Sequence, residues 1–249
     1  MGGGGFTADP GDPALDELVL QLAGTPVPRI LFLPTASGDP REQIARFRTA
    51  FGDRPCEPEE LSLFRLAEVR RPLRDIVLSQ DAIYVGGGSM RNLLAIWRVH
   101  GLDRLLRAAW ERGVVLAGLS AGAMCWFAGG VTTSSGAPEP AAGLGFLPGS
   151  LSVHADRQHA RRPVYLRAVR DGALPGGWLA DDGVGLLFRD HELERVVSAR
   201  RAAGAARVDV VDGELAEVAL EPDLVAPAPR GVPDAIRELR AVRYGSRRL

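Results

Sequence analysis

The stretch GVVLAGLSAGA, residues 113–123, decides how the rest of the chain is read. Its first half is a short apolar run bounded by glycine, as a buried strand would be. Its second half contains Gly118, Ser120 and Gly122 in the spacing G-x-S-x-G and opens onto a helix-like stretch. A strand, a tight turn and a helix are the setting in which that spacing presents a nucleophilic serine, its hydroxyl held outward on a turn too sharp for bulky neighbours. The next backbone N–H, that of Ala121, would lie at a helix N-terminus and could receive developing negative charge. The same small residues would also serve simple close packing of helix on strand, and the motif alone does not separate the two readings.

Working outward, strand-like and helix-like stretches alternate, which predicts an α/β protein with a mostly parallel sheet. RILFLP (29–34), EELSLF (59–64), AIYV (82–85) and VVLAG (114–118) read as strands. REQIARFRTAF (41–51), PLRDIVLSQ (72–80), MRNLLAIWRVHG (90–101) and LDRLLRAAWERG (102–113) read as helices, the last two closed by glycine. AGAMCWFAGG (121–130) is expected to continue as a helix, and 131–149 as a long irregular loop bordering the pocket. LSVH (151–154), a helix near 162–171 and the strands WLA, VGLLF, ERVVSA and RVDVV follow. No linker or repeat interrupts the pattern, so residues 1–249 are expected to form one domain. MGGGGF at the start looks like the glycine turn that should follow a first strand, yet no strand precedes it.

A nucleophilic serine needs a base, and the chain has four histidines. His100 ends an amphipathic helix, His191 lies in a polar turn and His159 in a charged segment. His154 ends a strand after the Gly/Pro-rich loop, at the edge where sheet enzymes place their chemistry. The third member should be a carboxylate that orients the imidazole. Glu139, between two prolines, suits this poorly, whereas Asp181 and Asp182 directly follow a short strand. The order Ser120–His154–Asp182 differs from that of α/β-hydrolases, the commonest owners of the motif. A second glycine turn, YVGGGS (84–89), also joins a strand to a helix, and its N–H groups could cradle an anion. Its spacing is not that of a dinucleotide fingerprint.

Composition narrows the field. All thirty cations are arginine, which excludes a Schiff-base lysine, a phosphate-loop lysine and a Ser–Lys dyad. A net charge of −1 offers no footprint for nucleic acid or for an anionic membrane. There is no run of about eighteen apolar residues and no secretory leader pattern, so a cytoplasmic protein is expected. Cys56 and Cys125 lack metal-ligand spacing, and no metal or cofactor is expected.

Taken together, AIYVGGGSMRNLL, GVVLAGLSAGA, GFLPGSLSVHAD and LADDG, in this order, resemble the peptidase E and cyanophycinase family of serine peptidases. The resemblance extends from MGGGGF to at least ERVVSA. It implies a fold related to class I glutamine amidotransferases, with helices on both faces of the sheet. It also implies a Ser120–His154–Asp182 triad and oxyanion donors at the backbone of Gly88 and Ala121. The substrate would be a short peptide with an acidic residue on the amino side of the cut bond. Arg162 is the nearest match to the family's arginine, with Arg157 and Arg161 close by. Ser89 stands where family members commonly carry asparagine, which bears on contacts with substrate. The assembly allowed is a homodimer, with neither nucleic acid nor membrane as partner. Two alternatives share the fold: cleavage of β-linked aspartyl peptides, and a catalytically silent binding protein.

Overall fold

The computed structural model describes residues 1–7 and 13–226. Its first half runs α1 (Ala14–Leu22), β1 (Arg29–Leu33), α2 (Arg41–Gly52), β2 (Glu57–Glu60) and α3 (Leu73–Leu78). It continues through β3 (Ala82–Val85), α4 (Met90–His100), α5 (Leu102–Trp110), β4 (Val115–Gly118) and α6 (Ala121–Met124). The second half is richer in strand: β5 (Phe127–Thr132), β6 (Glu139–Ala142), β7 (Leu147–Val153), α7 (Arg161–Arg170) and β8 (Gly177–Ala180). Then come β9 (Val184–Arg189), β10 (Glu192–Ser198), β11 (Ala205–Val211), β12 (Glu214–Leu220) and β13 (Asp223–Leu224). No helix among the described residues is long and apolar enough to cross a membrane.

The first sheet has the order β2-β1-β3-β4 and is parallel throughout. Alternate residues of its central strands enter different cores, which is why β1 and β3 are apolar at nearly every position. Leu31, Leu33, Ile83 and Val85 pack with α3, α4 and α5, while Ile30, Phe32, Ala82 and Tyr84 pack with α1 and α2. Helices thus cover both faces. Ser89 starts α4, its Oγ accepting the Asn92 N–H at 3.2 Å, and Gly101 ends it at φ 65°.

A second sheet has the order β12-β11-β8-β7-β5-β6, parallel at its centre and antiparallel at both ends. The hairpin β9–β10, with β13 beside β10, makes a third. The expected mostly parallel α/β architecture is therefore present, with its hydrogen bonding divided among three sheets. The opening glycines are packed rather than free: Phe6 stacks edge-on against Phe32 with centroids 5.2 Å apart, inside an aromatic cluster with Phe47, Phe51 and Tyr84.

Three local expectations change. The helix after Ser120 lasts one turn, and Phe127–Thr132 is strand. Gly129 and Gly130 are poor helix formers, and their missing side chains let β5 lie between β6 and β7. The 131–149 loop contains β6 and the start of β7, obscured in sequence by Pro140 on an edge strand and by Gly149 at φ 77°. The strand expected at 59–64 sits earlier, at Glu57–Glu60, a polar edge strand without apolar alternation.

A Cβ added at Gly130 would stand 2.2 Å from the Leu151 carbonyl oxygen. Gly130→Ala is expected to cost about 1–3 kcal/mol through this overpacking and to lower Tm by several degrees in a thermal melt. An unchanged Tm would show that β5 and β7 separate without penalty.

Candidate active site

Ser120 leaves β4 in a conformation that side-chain-bearing residues seldom adopt, with φ 53° and ψ −113°. Such backbone costs about 1–3 kcal/mol and persists only where the surroundings impose it. Here the imposition is steric and hydrogen-bonded. A Cβ on Gly118 would meet the Gly122 carbonyl oxygen at 2.0 Å, and one on Gly122 the Val85 carbonyl oxygen at 2.4 Å. The Ser120 N–H donates to the Met1 carbonyl at 3.0 Å, and the Ser120 carbonyl accepts from Ala123 and Met124 at 2.9 Å.

His154 follows β7, also at positive φ, 60°, and its carbonyl accepts the Gln158 N–H at 2.8 Å. Two strained residues on two different sheets thereby bring Ser120 Oγ and His154 Nε2 to 2.8 Å. On the other side of the ring, Nδ1 is hydrogen-bonded to Asp182 Oδ1. The imidazole and the carboxylate are both largely buried, with 16% and 15% of their side-chain surface exposed. Asp181 is turned away, accepting the Gly204 N–H at 2.9 Å.

Around Asp182 the structure adds groups for which the sequence offered little signal. Arg157 Nε lies 3.2 Å from Asp182 Oδ2. The Asp182 N–H donates to Asp156 Oδ1 at 3.0 Å, and Arg200 donates to both Asp156 Oδ2 and the Asp182 carbonyl at 2.9 Å. Burial alone would raise Asp156, but the Asp182 N–H and the Arg200 guanidinium outweigh it and hold its carboxyl below the ordinary value. The MGGGGF segment passes behind this network: a Cβ on Gly3 would lie 2.6 Å from Asp182 Oδ1, so a side chain there would displace the carboxylate.

The two glycine turns converge. A Cβ on Gly87 would come within 3.2 Å of the Ser120 Cβ, so a side chain there would crowd the hydroxyl. Gly88 sits at φ 143°, where a Cβ would strike the Ala36 carbonyl oxygen at 2.2 Å. Among the described residues, the N–H groups of Gly88 and Ala121 donate to no acceptor. Ser89, which follows these glycines, caps α4.

The three arginines have separate fates. Arg162, expected to bind substrate, is exposed and paired with Glu217 on β12. Arg157 holds Asp182. Arg161 is 4% exposed, donates to the Val131 carbonyl at 3.3 Å and Thr133 Oγ1 at 3.0 Å, and leaves Nε without a partner. The 133–139 segment reaches over to α4 as well, through Ser134 and the Glu139–Arg91 pair. Of the remaining histidines, His100 and His159 are exposed, and His191 lies edge-on to Trp110 at 5.2 Å.

The model of peptidase family S51 matches residues 1–196. The chain belongs to that family. The uncharacterized peptidase YgaJ of Bacillus subtilis (strain 168) is 46% identical over 220 residues, which is 88% of this chain and 95% of that one. In fold the chain is similar to the crystal structure of a peptidase from an acI-B1 Actinobacterium, with a TM-score of 0.69 at 19% identity. That match covers 92% of this chain and 95% of the other. This S51 chain is accordingly a serine-type peptidase, a hydrolase acting on peptides.

Because the Asp156 carboxyl is depressed in the folded state, its stabilisation is fully present above its unfolded value of about 4 and disappears as pH falls through the folded value. The wild type should therefore exceed Asp156→Asn in unfolding free energy by a constant amount from about pH 7 to 5, and by less below about pH 4. Denaturant titrations at several pH values check this. A difference that persists unchanged to about pH 2 would contradict it.

Proposed function

We propose that this S51 peptidase is an exopeptidase or dipeptidase that hydrolyses short peptides through Ser120, His154 and Asp182. The observation that carries the reading is the relay from Ser120 Oγ through both imidazole nitrogens to the Asp182 carboxylate. In this reading Asp182 accepts a hydrogen bond from the Nδ1–H, which fixes the tautomer, so Nε2 presents a lone pair to the serine hydroxyl. Ser120 attacks the scissile carbonyl as His154 takes its proton. His154 then delivers that proton to the leaving amine. The oxyanion is received by the N–H groups of Gly88 and Ala121, whose lack of acceptors leaves them free for it. Water, activated by the same imidazole, releases the acyl group. Residence in a reducing cytoplasm is part of the proposal and accords with the buried thiol of Cys125, which donates to the Gly122 carbonyl at 3.2 Å.

A preference for an acidic residue on the amino side of the cut bond is part of the proposal, and Arg161 is the residue that supports it. It is a buried cation that, among the described residues, no carboxylate pairs with directly. Burial lowers its pKa, while the Asp182 charge raises it. A substrate carboxylate would complete its hydrogen bonding in the fork geometry that arginine favours.

Ser120→Ala and His154→Ala should each lower peptide hydrolysis about 10⁴-fold or more, measured as kcat/KM on a dipeptide panel. Ser120→Ala should also abolish labelling by a fluorophosphonate. Near-parental activity in either variant overturns the assignment. Arg161→Met should lower kcat/KM about 100-fold for Asp-containing dipeptides and much less for neutral ones. An equal loss on both would remove Arg161 from specificity. Including α- and β-linked aspartyl dipeptides separates the dipeptidase from the cyanophycinase-like alternative.

A further inference from the structure

A serine relay has a direction. The amine released from the cut bond departs beside Nε2 of the histidine, because that nitrogen returns the proton. The departing residue therefore starts at His154, on the flank that this ring shares with Asp182 and its neighbours. Arg157 stands on that flank. Its N–H donates to the His154 carbonyl at 3.2 Å, and its Nε lies 3.2 Å from Asp182 Oδ2. The side chain is 67% exposed, and among the described residues its two Nη groups donate no hydrogen bond. The neighbouring guanidiniums are committed elsewhere. Arg200 donates to Asp156 and to the Asp182 carbonyl, Arg161 to Val131 and Thr133, and Arg162 pairs with Glu217.

On the strength of the triad, which this inference assumes, we propose that Arg157 is a specificity-determining residue. Its Nη groups bind the terminal carboxylate of the departing residue and so select dipeptides. The spans agree. From Nε2 to Arg157 Nε the path crosses one imidazole, one carboxylate and two hydrogen bonds, at most about 10 Å. A leaving residue covers about 3.5 Å between its nitrogen and its carboxylate, and a hydrogen bond of about 3 Å at each end extends its reach to about 9 Å. The ion pair on Nε fixes the plane of the guanidinium, so the remaining donors meet a carboxylate as a preformed fork. Charge leaves room for a further anion. Arg157, Arg161 and Arg200 stand against Asp156 and Asp182, three cations against two carboxylates. In a peptide one residue longer, a neutral peptide group replaces the carboxylate, and its N–H opposes the N–H donors of Arg157. The contact ends when the amine leaves, so it acts on acylation and not on the later release of the acyl group by water.

The test compares kcat/KM for Asp-Leu, Asp-Leu amide and Asp-Leu-Gly in the full chain and in its Arg157→Gln variant. The parent should prefer the free dipeptide to both others by about tenfold or more, the effect of one charged hydrogen bond. Arg157→Gln should bring the three substrates within about twofold of one another. Any loss from loosening Asp182 falls on all three alike and cancels in the ratio. A parent without the preference, or an Arg157→Gln variant that keeps it, would overturn the role of Arg157 and leave the triad standing. A parent that hydrolyses none of the three would overturn the triad, and this inference with it. Should Arg157→Gln prove inactive, the same ratio read as Kd on Ser120→Ala, with and without Arg157→Gln, decides in the same way.

Discussion

The structure depends on one backbone constraint: Ser120 is forced to φ 53° and ψ −113° where β4 meets α6. Nothing in serine favours that conformation. It is held from three directions, by the close approach of Gly118 and Gly122, by the close approach of the Val85 carbonyl to Gly122, and by the Met1 carbonyl that captures the Ser120 N–H. Released from any of these, the chain would relax towards ordinary helix or strand, and the hydroxyl would swing away from His154. The strain is local, but the means of holding it extend across both neighbouring strands.

The second theme is charge management with arginine alone. Asp182 sits between Arg157 on one oxygen and His154 on the other, while Arg200 fixes the backbone behind it through Asp156 and the Asp182 carbonyl. Each contact uses a planar fork that fixes direction as well as charge, which a lysine ammonium does not. Arg161 stands apart from this set. It is buried and, among the described residues, bonded to a carbonyl and a hydroxyl, with its Nε unsatisfied. Such an arrangement is poor for stability and well suited to receiving an anion, because the cost of desolvating the cation has already been met.

The N-terminal glycines tie these parts together. Met1 bonds to the Ser120 turn, Gly2 to Val184 and Gly3 to Gly183, while Phe6 anchors the segment in the aromatic cluster. The segment therefore crosses from the sheet that carries Ser120 to the turn that carries Asp182. Side chains at these positions would collide with Asp182 and its neighbours, which gives the glycine run a steric meaning that composition alone does not convey.

Local sequence pattern by itself determined the elements whose residues have only one way to be satisfied. β1 and β3 are apolar on both faces and can exist only as buried parallel strands. α4 and α5 show helical periodicity and end at glycine, and the glycines around Ser120 admit only a tight strand-to-helix turn. Pattern also nominated His154 and Asp182 from their places at strand ends. Tertiary structure decided the rest. It shortened α6 to one turn, because Gly129 and Gly130 admit the close approach of the Ala141 and Leu151 carbonyls on the neighbouring strands rather than continuing a helix. It turned an apparent loop into β6 and β7, whose prolines and glycines are tolerated only at an edge or a bend. It also gave Arg157, Arg161 and Arg162, which are indistinguishable in sequence, three different sets of partners. Burial, partner and direction are properties of the packed chain, and adjacent arginines on a turn and a helix face different surroundings only once that packing exists.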